Sequence, residues 1–243
     1  VRPYLAITMI PRPGYYVQHA WVGDLDGNGE YDLVIARLPA GGNNNQFVEA
    51  YKQDGTFLWS IDLGPQSRDH DNITPGPATI SVGHNDGLTV YDLNSDGKAE
   101  VVLKTANGVI FGDGTTLTHS NNLDQYISVL DGMTGAEIAR DQIPTDFIGN
   151  GTITGHFGVM YADGVKPTFV YRASNRRASG PFDVMFVTWD LTPSGLQLRW
   201  KWRKDQHGGD RLADAHQIRV LDVNGDGKDD VTPGGYMISS GGQ

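Results

Sequence analysis

The stretch Asp222-Val223-Asn224-Gly225-Asp226-Gly227-Lys228-Asp229-Asp230 has two earlier copies, and that recurrence limits what the chain can fold into. The copies are Asp24-Leu25-Asp26-Gly27-Asn28-Gly29-Glu30-Tyr31-Asp32 and Asp92-Leu93-Asn94-Ser95-Asp96-Gly97-Lys98-Ala99-Glu100. Each sets side-chain oxygens at positions 1, 3, 5 and 9 and glycine at position 6. A hard cation such as Ca2+ takes roughly six to eight oxygen ligands, and acids at every second residue around a glycine bend supply most of them. The candidate ligands are Asp24, Asp26, Asn28, Glu30 and Asp32, then Asp92, Asn94, Asp96, Lys98 and Glu100, then Asp222, Asn224, Asp226, Lys228 and Asp230. Position 7, which includes both lysines, offers its main-chain carbonyl. The spacing is that of an EF-hand loop without its closing Glu at position 12, and each copy runs into apolar residues: Leu33-Val34-Ile35, Val101-Val102-Leu103 and Val231. That pattern predicts loop then strand. The competing reading is of Asp-Gly turns that only join hairpins.

The spacing of the copies predicts a repeat architecture. It is 68 positions from Asp24 to Asp92, 71 from Asp92 to a degenerate counterpart at Asp163, and 59 from Asp163 to Asp222. Between the loops lie paired apolar runs around Asp-Gly turns. Phe47–Tyr51 and Phe57–Ile61 flank Asp54-Gly55, and Tyr126–Leu130 and Ala136–Ala139 flank Asp131-Gly132. The third unit keeps its strands, Phe157–Tyr161, Thr168–Tyr171, Val184–Trp189 and Leu196–Trp202, but loses the acids. Tyr4–Ile7 reads as an edge or closing strand. Four strands per unit without helical periodicity predict an all-β fold, a β-propeller of four-stranded blades. The units run roughly 15–85, 86–150, 151–210 and an incomplete 211–243, about three and a half blades of some seven or eight. A β-sandwich or β-solenoid is the alternative. The expectation is that the chain is the front part of a longer propeller, partnered by the remaining blades of the same protein, since open sheet edges invite pairing.

Composition narrows the function classes. A net charge of -10, from 19 Lys+Arg against 29 Asp+Glu, argues against a nucleic acid or an anionic membrane as partner. Without cysteine there is neither disulfide nor thiol catalysis. No apolar run approaches the roughly 18 residues of a membrane span. The 32 glycines and 12 prolines suit a turn-rich β protein, and a start at Val1 reads as a processed or excised piece.

Several segments resemble the rhamnogalacturonan lyases of polysaccharide lyase family 11. They are His19-Ala20-Trp21-Val22-Gly23 with the first loop, the run Ala50–Gly64, Val90-Tyr91 with the second loop and Lys104-Thr105-Ala106-Asn107-Gly108, Tyr126–Gly135, and His216–Val220 with the third loop. The resemblance implies a secreted, calcium-bearing propeller that cleaves a rhamnose–uronate linkage by β-elimination. An acidic plant-type polysaccharide is the implied partner. The segments 64–87 and 155–177 depart from the pectic pattern, so rhamnose linked to glucuronate in arabinogalactan side chains stands beside rhamnogalacturonan as substrate. The reading from another class is a non-catalytic, calcium-stabilised adhesion or carbohydrate-binding propeller of the integrin type, which carries similar acidic loops.

β-Elimination needs the uronate carboxylate neutralised, a base for the C5 proton, and an acid for the leaving O4. His84 and His70 lie in the long insertion 64–87, and each is a base, an acid or a surface histidine. His156 opens an apolar strand, either as a core histidine or as a catalytic one. Lys104 sits in the family-like Lys-Thr-Ala motif and could equally be a strand residue capping an acidic loop. Arg172, Arg176 and Arg177 form a cationic cluster that suits an anionic sugar or is simply a solvated loop, Tyr171 is a candidate donor to the leaving oxygen, and His216 lies in a family-like motif.

Overall fold

The computed structural model describes residues 6–68, 80–82, 87–146, 153–176 and 182–243, with the side chains of Arg176 and of residues 214–216 excepted. The chain is built from antiparallel meanders, each starting on a strand that leads into one of the loops. The first sheet holds β1 (Tyr15–Gly23), β2 (Asp32–Pro39), β3 (Phe47–Tyr51) and β4 (Phe57–Asp62), in chain order. The second holds β5 (Thr89–Tyr91), β6 (Glu100–Ala106), β7 (Gln125–Leu130) and β8 (Glu137–Gln142). The third holds β9 (Thr154–Met160), β10 (Thr168–Arg176), β11 (Phe182–Thr192) and β12 (Gly195–Arg203). A fourth pairs β13 (Asp214–Leu221) with β14 (Asp230–Gly234), and Val231 exchanges backbone hydrogen bonds with Ile238 beyond it. Among the described residues no sheet closes on itself.

Face alternation explains how the sheets stack. Successive side chains of a strand point to opposite faces, so the second strand of each sheet has to be apolar on both. In β6, Val101 and Leu103 join Val34, Ala36, Val48 and Ile61 of the first sheet, while Val102 joins Phe169, Tyr171 and Trp189 of the third. Val170, Val184 and Phe186 of the third sheet then pack on Val231 and Ile238. Each fully buried aliphatic or aromatic side chain contributes about 1.5–3 kcal/mol. Two indoles pin the layers: Trp59 Nε1 donates to the Gly132 carbonyl at 2.8 Å and Trp189 Nε1 to Asp141 at 2.7 Å. The first strands of successive sheets, β1, β5, β9 and β13, lie beside one another, and β8 meets β12 at the outer side.

Two expectations from the sequence change. Of the strand expected at Tyr4–Ile7, Tyr4 and Leu5 lie outside the described residues; residues 6–13 form no strand, although Arg12 and Ile10 cover the outer face of the first sheet through Glu49 and Arg37. The counterpart of loop position 1 in the degenerate unit is Tyr161, not Asp163, because β9 ends at Met160 as β1, β5 and β13 end one residue before their aspartates. Backbone pairing between neighbouring loops agrees. Ala99 N–H donates to the Asp24 carbonyl at 2.7 Å, and Asp229 N–H donates to the Tyr161 carbonyl at 3.1 Å. Asp163 instead caps its own turn, accepting from Val165 and Lys166 at 2.8 Å.

Candidate functional site

The three acidic loops share one internal architecture. The aspartate at position 1 accepts from the position-6 glycine: Gly29 onto Asp24 at 2.8 Å, Gly97 onto Asp92 at 2.9 Å, and Gly227 onto Asp222 at 2.9 Å. Those glycines sit at φ 81 to 90, where a side chain would be strained, and Ser95 at position 4 shares the left-handed backbone. The acid at position 9 is buried and accepts from the backbone N–H of position 2. The pairs are Asp32 with Leu25 at 3.1 Å, Glu100 with Leu93 at 2.8 Å, and Asp230 with Val223 at 3.2 Å.

Whether these donors suit a cation can be judged from their charges. Carboxylate oxygens of Asp24, Asp26 and Asp32 come within 4.8 Å of one another. Burial first, and then the neighbouring Asp96 and Asp92, push Glu100 up to about 7, and burial raises Asp32 as well. Acids crowded against their own repulsion are a donor set that a divalent cation relieves. Lys52 already pairs with Asp26 and lowers it, so the first loop carries a built-in cation that the other two lack among the described residues. Lys98 and Lys228 are exposed and would contribute only their carbonyls.

At the other end of the first strands a pocket of about 270 Å³ is lined by Trp21, Leu88, His156, Phe157 and Gln217, with Gly87 and Ile218. Counting back from loop position 1 puts the lining residues Gly87, His156 and Gln217 at one level, with His19 as their counterpart in the first sheet. His19, Gly87, His156 and Gln217 each stand five residues before it, at Asp24, Asp92, Tyr161 and Asp222. The partner strands obey the same count. Lys104 and Arg172 each lie four residues after the start of β6 and β10, and both are buried. His156 pairs with Arg172 across β9 and β10 as His19 pairs with Ala36 across β1 and β2. Lys104 faces the third sheet, where its ammonium donates to the Ile153 carbonyl. Lys104 and Arg172 therefore stand at one level, on opposite faces of the third sheet.

The other candidates fall elsewhere. Tyr171 is fully buried in the core between the second and third sheets, its ring 5.0 Å from that of Phe157, so the reading of Tyr171 as a donor to a leaving oxygen is corrected to a packing role. His70, His84 and Arg177 lie outside the described residues, and of Arg176 and His216 only the backbone is described, in β10 and β13. His19, Trp21 and Gln217 stood in family-like segments but were not named as site candidates. For His19 and Gln217 the signal is the five-residue distance to loop position 1.

Residues 12–243 match the C-terminal domain of rhamnogalacturonan lyase family 11, and the chain belongs to that family. Among its relatives are the rhamnogalacturonan endolyase YesW and the rhamnogalacturonan exolyase YesX of Bacillus subtilis (strain 168), 29% and 30% identical. Both alignments take in 94% of this chain and 39% of the relative, so the chain spans about two fifths of the length of these proteins. The solved rhamnogalacturonan lyase PL11 of Bacillus licheniformis superposes with a TM-score of 0.77 at 27% identity, over 94% of this chain and 41% of that one. The crystal structure of YesX gives 0.77 at 28% identity, over 94% and 40%.

Proposed function

We propose that this chain forms part of a polysaccharide lyase that cleaves the rhamnose–uronate linkage of rhamnogalacturonan by β-elimination, on a β-propeller scaffold whose sheets are the blades. The observation that carries the reading is His156 in the pocket where the first strands meet, with Arg172 across its strand pair, in a chain of this family. Arg172 supplies the positive charge that draws the uronate carboxylate and acidifies the C5 proton. His156 takes that proton, the C5–H electron pair becomes the C4–C5 double bond, and O4 leaves and is protonated. Lys104 stands at the same level on the opposite face of the third sheet, its ammonium on the Ile153 carbonyl. The acidic loops would hold Ca2+, which when bound neutralises their carboxylates and fixes the ends of the blades. A polymer of this size outside the cell makes secretion the matching location.

The test uses the full-length protein on rhamnogalacturonan and on rhamnose-capped arabinogalactan, following absorbance of the unsaturated product. Absorbance should rise on rhamnogalacturonan, and His156→Ala should lose about 10²-fold in kcat with its melting temperature kept. Saturated products, or a His156→Ala variant at wild-type rate, would overturn the assignment.

A further inference from the structure

The loop end of the first strands holds a second pocket, of about 400 Å³, which the lyase reading does not use. Its walls carry Tyr31, Tyr91 and Tyr161, the apolar Val22 and Val90, and the position-1 acids Asp24 and Asp92. Tyr161 stands where the other three loops place an aspartate, so the unit that lost its acids gained an aromatic ring at this spot. Its main chain is fixed from the next loop, with Tyr161 N–H donating to Asp229 at 2.7 Å, and its hydroxyl meets that of Tyr91 at 2.9 Å. That hydroxyl contact ties the two rings into one wall of the pocket. Tyr31 is 66% exposed and Tyr91 37% exposed, and neither is spent on the core.

We infer that this pocket binds a neutral sugar residue of a polysaccharide. Ring C–H groups of a sugar pack on tyrosine faces and on Val22 and Val90, while hydroxyls find carboxylate and phenol oxygens around the rim. Among the described residues no lysine, arginine or histidine lines the pocket, so a uronate carboxylate would give up its hydration with no cationic side chain to meet it, and the neutral unit is favoured. The site is distinct from the His156 pocket. Five residues of strand, roughly 16 Å, separate His156 from Tyr161.

Saturation-transfer NMR on the calcium-loaded chain, with rhamnose, galactose, arabinose and galacturonate as probes, tests this inference without any turnover. Signal should pass to the neutral sugars and not to galacturonate. Tyr31→Ala and Tyr91→Ala should each weaken binding by about tenfold at an unchanged melting temperature. Binding is read without turnover, and the tyrosine variants leave the His156 pocket untouched, so a failed lyase assignment leaves this outcome unaffected. Transfer to none of the neutral sugars, equal transfer to galacturonate, or equal binding by the tyrosine variants would each overturn it.

Discussion

Replacing Glu49 with glutamine probes the ionic cluster that fastens residues 6–13 over the first sheet. Glu49 is 2% exposed. One carboxylate oxygen accepts from Arg12 Nε at 2.8 Å, and the other accepts from Arg37 Nε at 2.9 Å and the Tyr51 hydroxyl at 2.8 Å. Burial works to raise this carboxyl, but the bonds from Tyr51, Arg37 and Arg12 outweigh it and hold Glu49 below the usual carboxylate range. Arg37 is itself buried and reaches the Ile10 carbonyl at 3.0 Å, while Arg12 lies 3.8 Å over the Phe47 ring. Glutamine keeps the shape but leaves the Arg37 cation without a counter-charge, a change that costs about 3–5 kcal/mol in a buried pair. The Arg12 side chain is 27% exposed, so Arg12→Gln should cost only about 1 kcal/mol. Urea unfolding of both variants, with unchanged m-values, measures the two losses.

The pH dependence gives a second reading of the same cluster. A depressed folded pKa means the Glu49 contribution is fully present above the ordinary glutamate value and is lost as pH falls through the folded one. The stability gap between wild type and Glu49→Gln should therefore close on acidification. A variant within about 0.5 kcal/mol of wild type at neutral pH, or a gap that persists into acid, would refute the argument.

Chelation should lower the melting temperature if the loops hold Ca2+, and an unchanged transition in excess chelator would remove calcium from the account. Asp230→Ala leaves the N–H groups of Val223 and Ser240 without their acceptor and should cost about 2 kcal/mol or more while shrinking the calcium-dependent shift, read by thermal melts with and without the ion. Gly132→Ala would set a Cβ 2.1 Å from the Ala99 carbonyl oxygen, and because that atom is backbone, the hairpin and the second loop must part. A loss of about 3 kcal/mol in denaturant unfolding is expected, and no loss would mean the loop contacts are not rigid.

The acidic loops, the strand pairs and the all-β class were legible in the sequence because each is a local rule. Aspartate at alternate positions around a glycine writes its own turn, and apolar runs on either side of Asp54-Gly55 and Asp131-Gly132 can only pair back on themselves. The family was legible for a related reason, since its motifs are contiguous. Long-range arrangement was not. Tyr171 and Arg172 are adjacent in sequence and equally plausible as substrate contacts, yet strand alternation sends one into the core and leaves the other beside His156. Asp163 looks like the lost acid of the third loop, but only the end of β9 shows that Tyr161 holds that place. His156 lies 135 positions after Trp21 and 61 before Gln217. They meet because each sheet packs its first strand against the next, a relation fixed by burial between sheets and by nothing local to any of the three.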